Sequence, residues 1–260
     1  MMHYPLVKSG EDIEKIREGS RLLADILYRM RRLIYPGNTA DELEYFAEKE
    51  IRKNGAKPAF KGYKKYPYVL CVSVDEEVVH GFPLKRKKFA PGMIVSVDIG
   101  IIYEGLYSDT AYSFGIPPLL PEREVFLKHI RKTLYLAIRQ ARAGNRVGDI
   151  SRAIQKSVES GGYSVVRELY GHGVGYQLHE DPAIPNYEPE SPGMVLRKNM
   201  VLAIEVMANM GSPQVHTLSD GWTVVTSDHL PSSHFEHTIL VRKGEAEIFT
   251  HSPLWDEDDS

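Results

Sequence analysis

The chain has 260 residues, of which 42% are hydrophobic and 26% are charged. This composition excludes a disordered or collagen-like chain and provides enough apolar material for a sizeable core. The formal net charge of -3 disfavours a general nucleic-acid binder. A single cysteine, Cys71, excludes an internal disulfide or a thiolate zinc cluster. No apolar run approaches the roughly 18 residues of a membrane span, so we expect a cytoplasmic protein that is neither secreted nor membrane-embedded.

Two helices followed by strands are predicted in the first half of the chain. Apolar residues at helical spacing predict a helix over residues 11–34. Thr39 and Glu42 then have the spacing of a capping box, which predicts the start of a second helix. The valine-rich segment 68–80 and the segment 93–114 predict strands.

The same order of elements recurs in the second half. Helices are predicted over 123–143 and 147–160, and strands over 164–166, 200–207, 223–226 and 237–241. Segment 93–99 aligns with segment 200–206 at an offset of 107 positions by subtraction, which places Asp98 and Glu205 at equivalent positions. We therefore expect one domain over 1–250 formed by an internal duplication, with halves of about 10–117 and 118–241 and an acidic tail over 251–260.

Carboxylates interrupt two strands that are otherwise apolar. A buried carboxylate is costly unless it is paired, hydrogen-bonded or bound to a metal, so Asp98 and Glu205 are candidate metal ligands. A turn at residues 104–105 would pair Asp98 with Ala111 and bring Asp109 to the same face. A capping or salt-bridged role is the commoner explanation for a single acid in a strand. Here that explanation would have to apply to both Asp98 and Glu205, which weakens it.

The second half also supplies histidines and a further acid. Alternating glycines around His172 argue against a helix and suit a close approach of the backbone to a ligand. On an extended chain His172 and His179 would face opposite ways, so that one binds metal while the other faces substrate. Glu236 lies just before an apolar strand. Together the candidates form an oxygen-rich set that suits two bridged ions of Mn, Fe, Co or Zn: Asp98, Asp109, His172, Glu205 and Glu236.

These residues, together with the FEHT sequence at 235–238, resemble the methionine aminopeptidases of the short bacterial type I class over roughly residues 5–241. The resemblance implies an α+β pita-bread fold, in which two pseudo-twofold-related halves share a curved antiparallel sheet covered by helices. It also implies that Asp98 binds one metal, that His172 and Glu205 bind the other, and that Asp109 and Glu236 bridge the two.

The resemblance further implies the activity, which is removal of the N-terminal methionine from nascent polypeptides by attack of a metal-bound hydroxide. Glu205 would then act as a general acid and base, His80 would face the substrate, and His179 would contact the scissile peptide. The matching methionine pocket comprises Phe60, Tyr63, Tyr66, Cys71, Leu178 and Trp222, although each aromatic alone is equally consistent with ordinary core packing.

Three positions near the expected ligands depart from the family pattern. The family usually has threonine and proline beside the glutamate at 205, where this chain has Ala203 and Val206, and His234 replaces a glutamine. Because residues around metal ligands commonly change affinity or activity about 10- to 100-fold, a divergent relative with altered rate or metal preference remains an open alternative. Every expected metal ligand is present, which argues against an inactive protein.

Two other functions remain open at this point. A proline-specific relative would share the fold, although such proteins typically carry a large additional N-terminal domain, and a binding module would have lost catalysis.

The basic segment 85–88, with Lys61, Lys64 and Lys65, is more simply a solvated loop, but it could contact ribosomal RNA. We expect a monomer.

Overall fold

The computed structural model describes residues 5–252, so residues 253–260 of the acidic tail predicted over 251–260 lie outside the described residues. The helices are α1 (Gly10–Met30), α2 (Ala40–Lys53), α3 (Pro121–Ile138) and α4 (Val147–Ser160). None of the helices within 5–252 has both the length and the apolar character needed to cross a bilayer.

The strands pair throughout in antiparallel fashion. They are β1 (Lys57–Pro58), β2 (Leu70–Val74), β3 (Glu77–Val79), β4 (Ile94–Tyr103), β5 (Leu106–Gly115), β6 (Ser164–Val165), β7 (Tyr170–Gly173), β8 (Glu180–Pro185), β9 (Val201–Asn209), β10 (Val215–Thr217), β11 (Val224–Thr226), β12 (Ser232–Leu240) and β13 (Glu247–Ile248). The large sheet has the order β1-β4-β5-β12-β9-β7-β8, with β2 on β4, β6 on β9 and β13 on β12. A smaller sheet has the order β10-β11-β3. The predicted α+β pita-bread fold is confirmed.

Two apolar clusters connect the helices to the large sheet. One cluster includes residues of α1, α2, β2, β4 and β5, and the other includes residues of α3, α4, β9 and β12. Burial of apolar side chains contributes about 25 cal/mol for each Å² removed from water, so these clusters are the main source of stability. Each cluster therefore holds one helix pair against one part of the sheet.

The predicted boundaries differ from the structure at two informative places. Thr39 is the N-cap residue of α2, but its side chain forms no capping hydrogen bond, so the predicted capping box is wrong. Strand β12 begins at Ser232, five positions before the predicted start at His237. Glu236 consequently lies inside a buried strand and not before it.

Strands β5 and β12 join the two parts of the sheet. Thr238 Oγ1 donates to Asp109 O at 2.7 Å and accepts from Asp109 N at 3.1 Å. Thr110 Oγ1 donates to Glu236 O at 2.8 Å. Hydroxyl groups thus supplement the strand pairing next to two acidic residues and fix the positions of their backbones.

The packing of α3 predicts a specific loss of stability. Ile130 is fully buried, whereas Val125 on the same helix is 60% exposed. We expect Ile130→Ala to lower the free energy of unfolding by about 2–5 kcal/mol, because the substitution leaves a cavity under α3. Val125→Ala should change it by less than about 0.5 kcal/mol. Urea unfolding of the chelator-treated proteins measures both, and equal effects of the two substitutions would contradict this account of the core.

Candidate metal centre

The predicted hairpin places the first two acids of the site. Asp98 of β4 lies opposite Ala111 of β5, as the sequence predicted. The turn residues Glu104 and Gly105 have φ values of 47° and 82°, which is the left-handed backbone that a tight hairpin turn requires. Asp109 lies two residues before Ala111 on the same strand, so both carboxylates lie on the same face of the sheet.

Acidic residues on three of four adjoining strands lie in one row across the sheet. Ala111 of β5 pairs with Glu236 of β12, and Glu236 pairs with Glu205 of β9. The row therefore runs Asp98, Ala111, Glu236, Glu205, with the small side chain of Ala111 between the acids. Because like charges directly opposite each other destabilise a sheet, this arrangement requires a compensating positive charge.

His172 adds a nitrogen ligand to this row. Its Nδ1 lies 3.0 Å from Gly173 O, and donation from Nδ1 to that carbonyl leaves Nε2 as the free donor atom for a metal. Ligand atoms of Asp109, His172 and Glu236 all lie within 4.8 Å of one another. Burial lowers the pKa of His172, which favours the neutral imidazole that a metal requires.

Glycines on both sides of His172 let β7 approach its neighbours closely. A Cβ atom at Gly173 would lie 2.2 Å from Asp181 O, and one at Gly171 would lie 2.7 Å from Ala203 O. Real side chains do not tolerate such contacts with backbone, so these positions require glycine. The alternating glycines thus serve the insertion of the histidine-bearing strand between β8 and β9.

The donors fit a divalent cation. Burial raises the pKa of Asp98 to about 7 and raises those of Asp109 and Glu236 well above the ordinary range, and neighbouring carboxylates add to the shifts in Asp109 and Glu236. Within residues 5–252, Asp98 Oδ1 and Glu236 Oε1 are buried and have no hydrogen-bond partner. Buried carboxylates left in this state are suited to metal coordination.

The histidine pair differs from the sequence-based expectation. The His172 and His179 rings lie 4.3 Å apart, so the two side chains meet at the same cavity and do not face opposite ways. The prediction assumed an extended chain, but Gly175 has a φ of 143° and lies in the irregular segment after β7. Tyr63 Oη lies 2.9 Å from His179 Nδ1 and orients that ring.

A cavity of about 350 Å³ contacts every residue that the sequence analysis placed in the site. The metal-ligand candidates form one part of its wall, and an apolar cluster that includes Phe60, Tyr66, Cys71 and Leu178 forms another. The Trp222 ring lies 5.0 Å from the Tyr66 ring and 6.1 Å from the His80 ring. An apolar pocket is therefore continuous with the polar centre.

Other lining residues were not predicted to belong to the site. They include Lys64, Val79, Leu169, Tyr170, Met207 and His234. Met207 follows Glu205 by two positions on β9, and His234 precedes Glu236 by two positions on β12. Residues two apart on a strand share a face, so this spacing could have predicted that both side chains line the site. Lys64 carried no such signal because it lies in a short turn with a φ of 46°.

Comparisons with known proteins agree with this geometry. The model of metallopeptidase family M24 matches residues 14–243. The methionine aminopeptidase of Clostridium perfringens is 41% identical over 94% of this chain and 98% of its own length. The chain belongs to the M24 metallopeptidases, among the methionine aminopeptidases. Family membership shows that it uses divalent metal.

Solved structures give the same result for the M24 fold. The crystal structure of methionine aminopeptidase from Thermotoga maritima has a TM-score of 0.93 and 45% identity, and it covers 97% of this chain and 100% of that chain. The prolidase from Pyrococcus furiosus has a TM-score of 0.78 with 21% identity, covering 95% of this chain and 66% of that chain. The prolidase shares the fold alone.

The departures from the family pattern have different surroundings. Ala203 is fully buried and pairs with His172 across β7 and β9. Val206 is fully buried in the apolar cluster under α3 and α4. Because it directly follows Glu205 on β9, its side chain points to the opposite face of the sheet. Both side chains lie in apolar clusters. Neither side chain contributes a polar atom to the metal centre.

His234 has a direct contact with the acids. Its Nε2 lies 3.1 Å from Glu205 Oε2 and 3.9 Å from Glu236 Oε2, and the ring is buried. Burial alone would raise the pKa of Glu205, but His234, together with His172 and His179, outweighs burial, so the pKa is lowered. His234 therefore contacts Glu205 as an ion pair and favours the ionised state of its carboxylate.

Removal of the His234 ring should weaken metal binding. We expect His234→Ala to lower the affinity for Mn²⁺ roughly 10- to 100-fold, because Glu205 loses the side chain that contacts it beside the metal centre. His234→Gln restores the family residue and a side-chain hydrogen-bond donor, so its affinity for Mn²⁺ should fall far less than that of His234→Ala. Calorimetric titration of the metal-free proteins measures affinity and stoichiometry together. Equal losses in both variants would show that the donor does not matter.

Proposed function

We propose that the chain is a dinuclear methionyl aminopeptidase that removes the N-terminal methionine from nascent polypeptides. The observation that carries the proposal is the continuity of the cavity: a set of buried metal-ligand side chains adjoins an apolar pocket. A substrate whose first side chain fills that pocket would present its first peptide bond to the ligand set.

The proposed ligands divide between two ions of Mn, Fe, Co or Zn. Asp98 would hold one ion, His172 and Glu205 would hold the other, and Asp109 and Glu236 would bridge them. Divalent ions supply Lewis-acid polarisation of a peptide carbonyl and acidification of water. Asp98 Oδ1 and Glu236 Oε1, which have no hydrogen-bond partner in the described part of the chain, support this assignment.

We assign the movement of the proton to Glu205. Its carboxylate is held in the ionised state beside His234, so it can accept a proton and deliver it to the departing amine. His179 lies between His172 and Tyr63 at the cavity, where it would contact the scissile peptide. His80 lies beside Trp222, where it would face the substrate.

The apolar pocket accounts for the proposed selectivity. Phe60, Tyr66, Cys71 and Leu178 are buried, and Trp222 packs at the edge of Tyr66. An unbranched thioether adapts to such an aromatic and sulfur-containing lining, and it gains contacts between sulfur and rings. The pocket contains no basic or acidic group among these five side chains. A charged first residue would therefore lose its hydration without a partner.

We propose that the catalytic domain spans 1–250 and arose by duplication of halves of about 10–117 and 118–241. The equivalent positions of Asp98 and Glu205 in β4 and β9, and one apolar cluster for each helix pair, support this division. We further propose a cytoplasmic monomer, because one chain supplies all the ligands and the cysteine is a free thiol.

Peptide hydrolysis tests the proposal against its two alternatives. The metal-reconstituted protein should release methionine from Met-Gly-Met-Met and leave Ala-Pro peptides intact. Glu205→Gln should lower kcat roughly 10²- to 10⁴-fold, because the carboxylate can no longer move the proton. Mass spectrometry follows release of the first residue.

Matched controls define the outcomes that contradict it. Glu18→Gln makes the same chemical change at an exposed site and should leave hydrolysis unchanged. Release of the residue before proline would assign the chain to the proline-specific peptidases. Peptide binding without hydrolysis, in protein that demonstrably holds metal, would make it a binding module.

We also propose that exposed basic residues near the small sheet contact ribosomal RNA. Lys85, Arg86 and Lys88 are exposed, whereas Lys87 pairs with Glu77 at 2.6 Å and is a structural residue. Neutralising the three exposed residues should weaken cosedimentation with ribosomes and flatten its dependence on salt, since each phosphate contact contributes a slope of about 0.7–0.9. Neutralising Lys49, Lys53 and Lys156 is the control, and an equal effect of both sets would refute a specific contact.

A further inference from the structure

A second cavity, of about 320 Å³, lies on the face of the large sheet opposite the metal centre. Phe235 lines it, whereas the neighbouring His234 and Glu236 line the first cavity. Because successive side chains of a strand point to opposite faces, Phe235 marks the back of the same strand. We call this cavity the rear groove.

The rear groove combines aromatic rings with positive charge. Tyr112 and Phe114 of β5 and Phe235 of β12 contribute its rings. Arg31, which follows α1, and Lys128 and Arg131 of α3 contribute its charge. Among the residues within 5–252 that line the groove, none is acidic. The groove therefore suits an acidic segment that also carries an apolar or aromatic side chain.

The last described residues run along β12 toward the rear groove. Strand β13 pairs antiparallel with β12, and Phe249 N then donates to Thr238 O at 2.9 Å. Thr250 Oγ1 accepts from Thr238 N at 3.0 Å and lies 3.0 Å from His237 Nδ1. Each step along the chain therefore moves back along β12 in the direction of Phe235.

Contacts on both flanking helices place this end near the basic side chains. Ser252 is buried, and its Oγ donates to Asp25 of α1 at 2.8 Å. Asp25 precedes Arg31 by six positions, which is about 9 Å along a helix. On the other side, His237 lies 3.5 Å from the Tyr135 hydroxyl, about one turn of α3 from Arg131. The chain thus ends between the two helices that border the groove.

The eight residues that follow Ser252 have the required composition. Their sequence is PLWDEDDS, with Leu254 and Trp255 followed by four consecutive acids. Eight extended residues span at most about 26–29 Å, which is ample for the distance to Arg31. The apolar pair comes first and the acids come last.

We propose that the C-terminal segment 253–260 docks in the rear groove of its own chain. Leu254 and Trp255 pack against the rings of β5 and β12, and the acids pair with Arg31, Lys128 and Arg131. The docked segment covers the back of the strands that carry Asp109 and Glu236. This proposal is independent of the peptidase activity, because it concerns the opposite face of the sheet.

Tryptophan fluorescence tests the docking directly. The chain has two tryptophans, so in a Trp222→Phe background all of the tryptophan emission comes from Trp255, and excitation at the red edge of the absorption band excludes the tyrosines. We expect emission shifted to the blue of that of the isolated peptide PLWDEDDS, together with weaker quenching by acrylamide. The double substitution Lys128→Glu and Arg131→Glu should remove both differences, because it repels the acids. Lys156→Glu, at an exposed site on α4, should preserve them.

The peptide supplied in trans gives a second measurement. Labelled PLWDEDDS should bind to the chain that ends at Ser252, and the same double substitution should weaken binding roughly tenfold through loss of two surface ion pairs. Salt at 1 M should also weaken it, since the Debye length falls to about 3 Å. The full-length chain should not bind the peptide, because its own segment fills the groove.

Several results would overturn the proposal. Trp255 emission and quenching equal to those of the free peptide would show that the segment does not dock. Docking that survives the double substitution would place the segment elsewhere. A blue shift that disappears on dilution, with a dimer seen by sedimentation, would show that the groove accepts the segment of a second copy.

Discussion

The structure depends on the burial of several carboxylates at one place in an apolar sheet. Asp98, Glu236 and Glu205 occupy one row across adjoining strands, and Asp109 lies two positions along the same face. Such a row is unfavourable without a counter-charge, because burial and mutual repulsion both oppose ionisation. Ala111 separates Asp98 from Glu236 with a single methyl group, and this leaves space in the middle of the row. The same side chains therefore lower the stability of the metal-free fold and provide the metal ligands, and a bound cation offsets the cost of burying them.

The rest of the fold holds this row in place. Hydroxyl groups of Thr110 and Thr238 bond to the backbones of Glu236 and Asp109, so the joint between β5 and β12 does not rely on strand pairing alone. Apolar clusters under each helix pair provide the free energy that offsets the cost of burying the acids. His234 supports Glu205 from the same strand that carries Glu236. Both parts of the sheet therefore contribute ligand candidates to the metal centre and hold them in place.

Sequence reasoning was most successful where a local pattern determines structure. Helix α4 has the predicted bounds, and the Asp98–Ala111 register followed from the hairpin turn. It failed where distant contacts decide. The side chain of Thr39 makes no capping bond, and β12 continues past its polar residues because β9 pairs with it along its whole length. His172 and His179 meet because the chain turns between them, and no period predicts that turn. His234 was noticed as a departure, but its contact with Glu205 depends on the pairing of β12 with β9.

The glycines beside His172 have a consequence for sequence variation. Carbonyl oxygens of Asp181 and Ala203 occupy the space where a methyl group at Gly173 or Gly171 would lie. At His172 itself the side chain points into an open cavity, so another donor of similar reach has room there. The two glycine positions are therefore less exchangeable than the ligand between them, because the neighbouring atoms belong to the backbone and no side-chain substitution removes them.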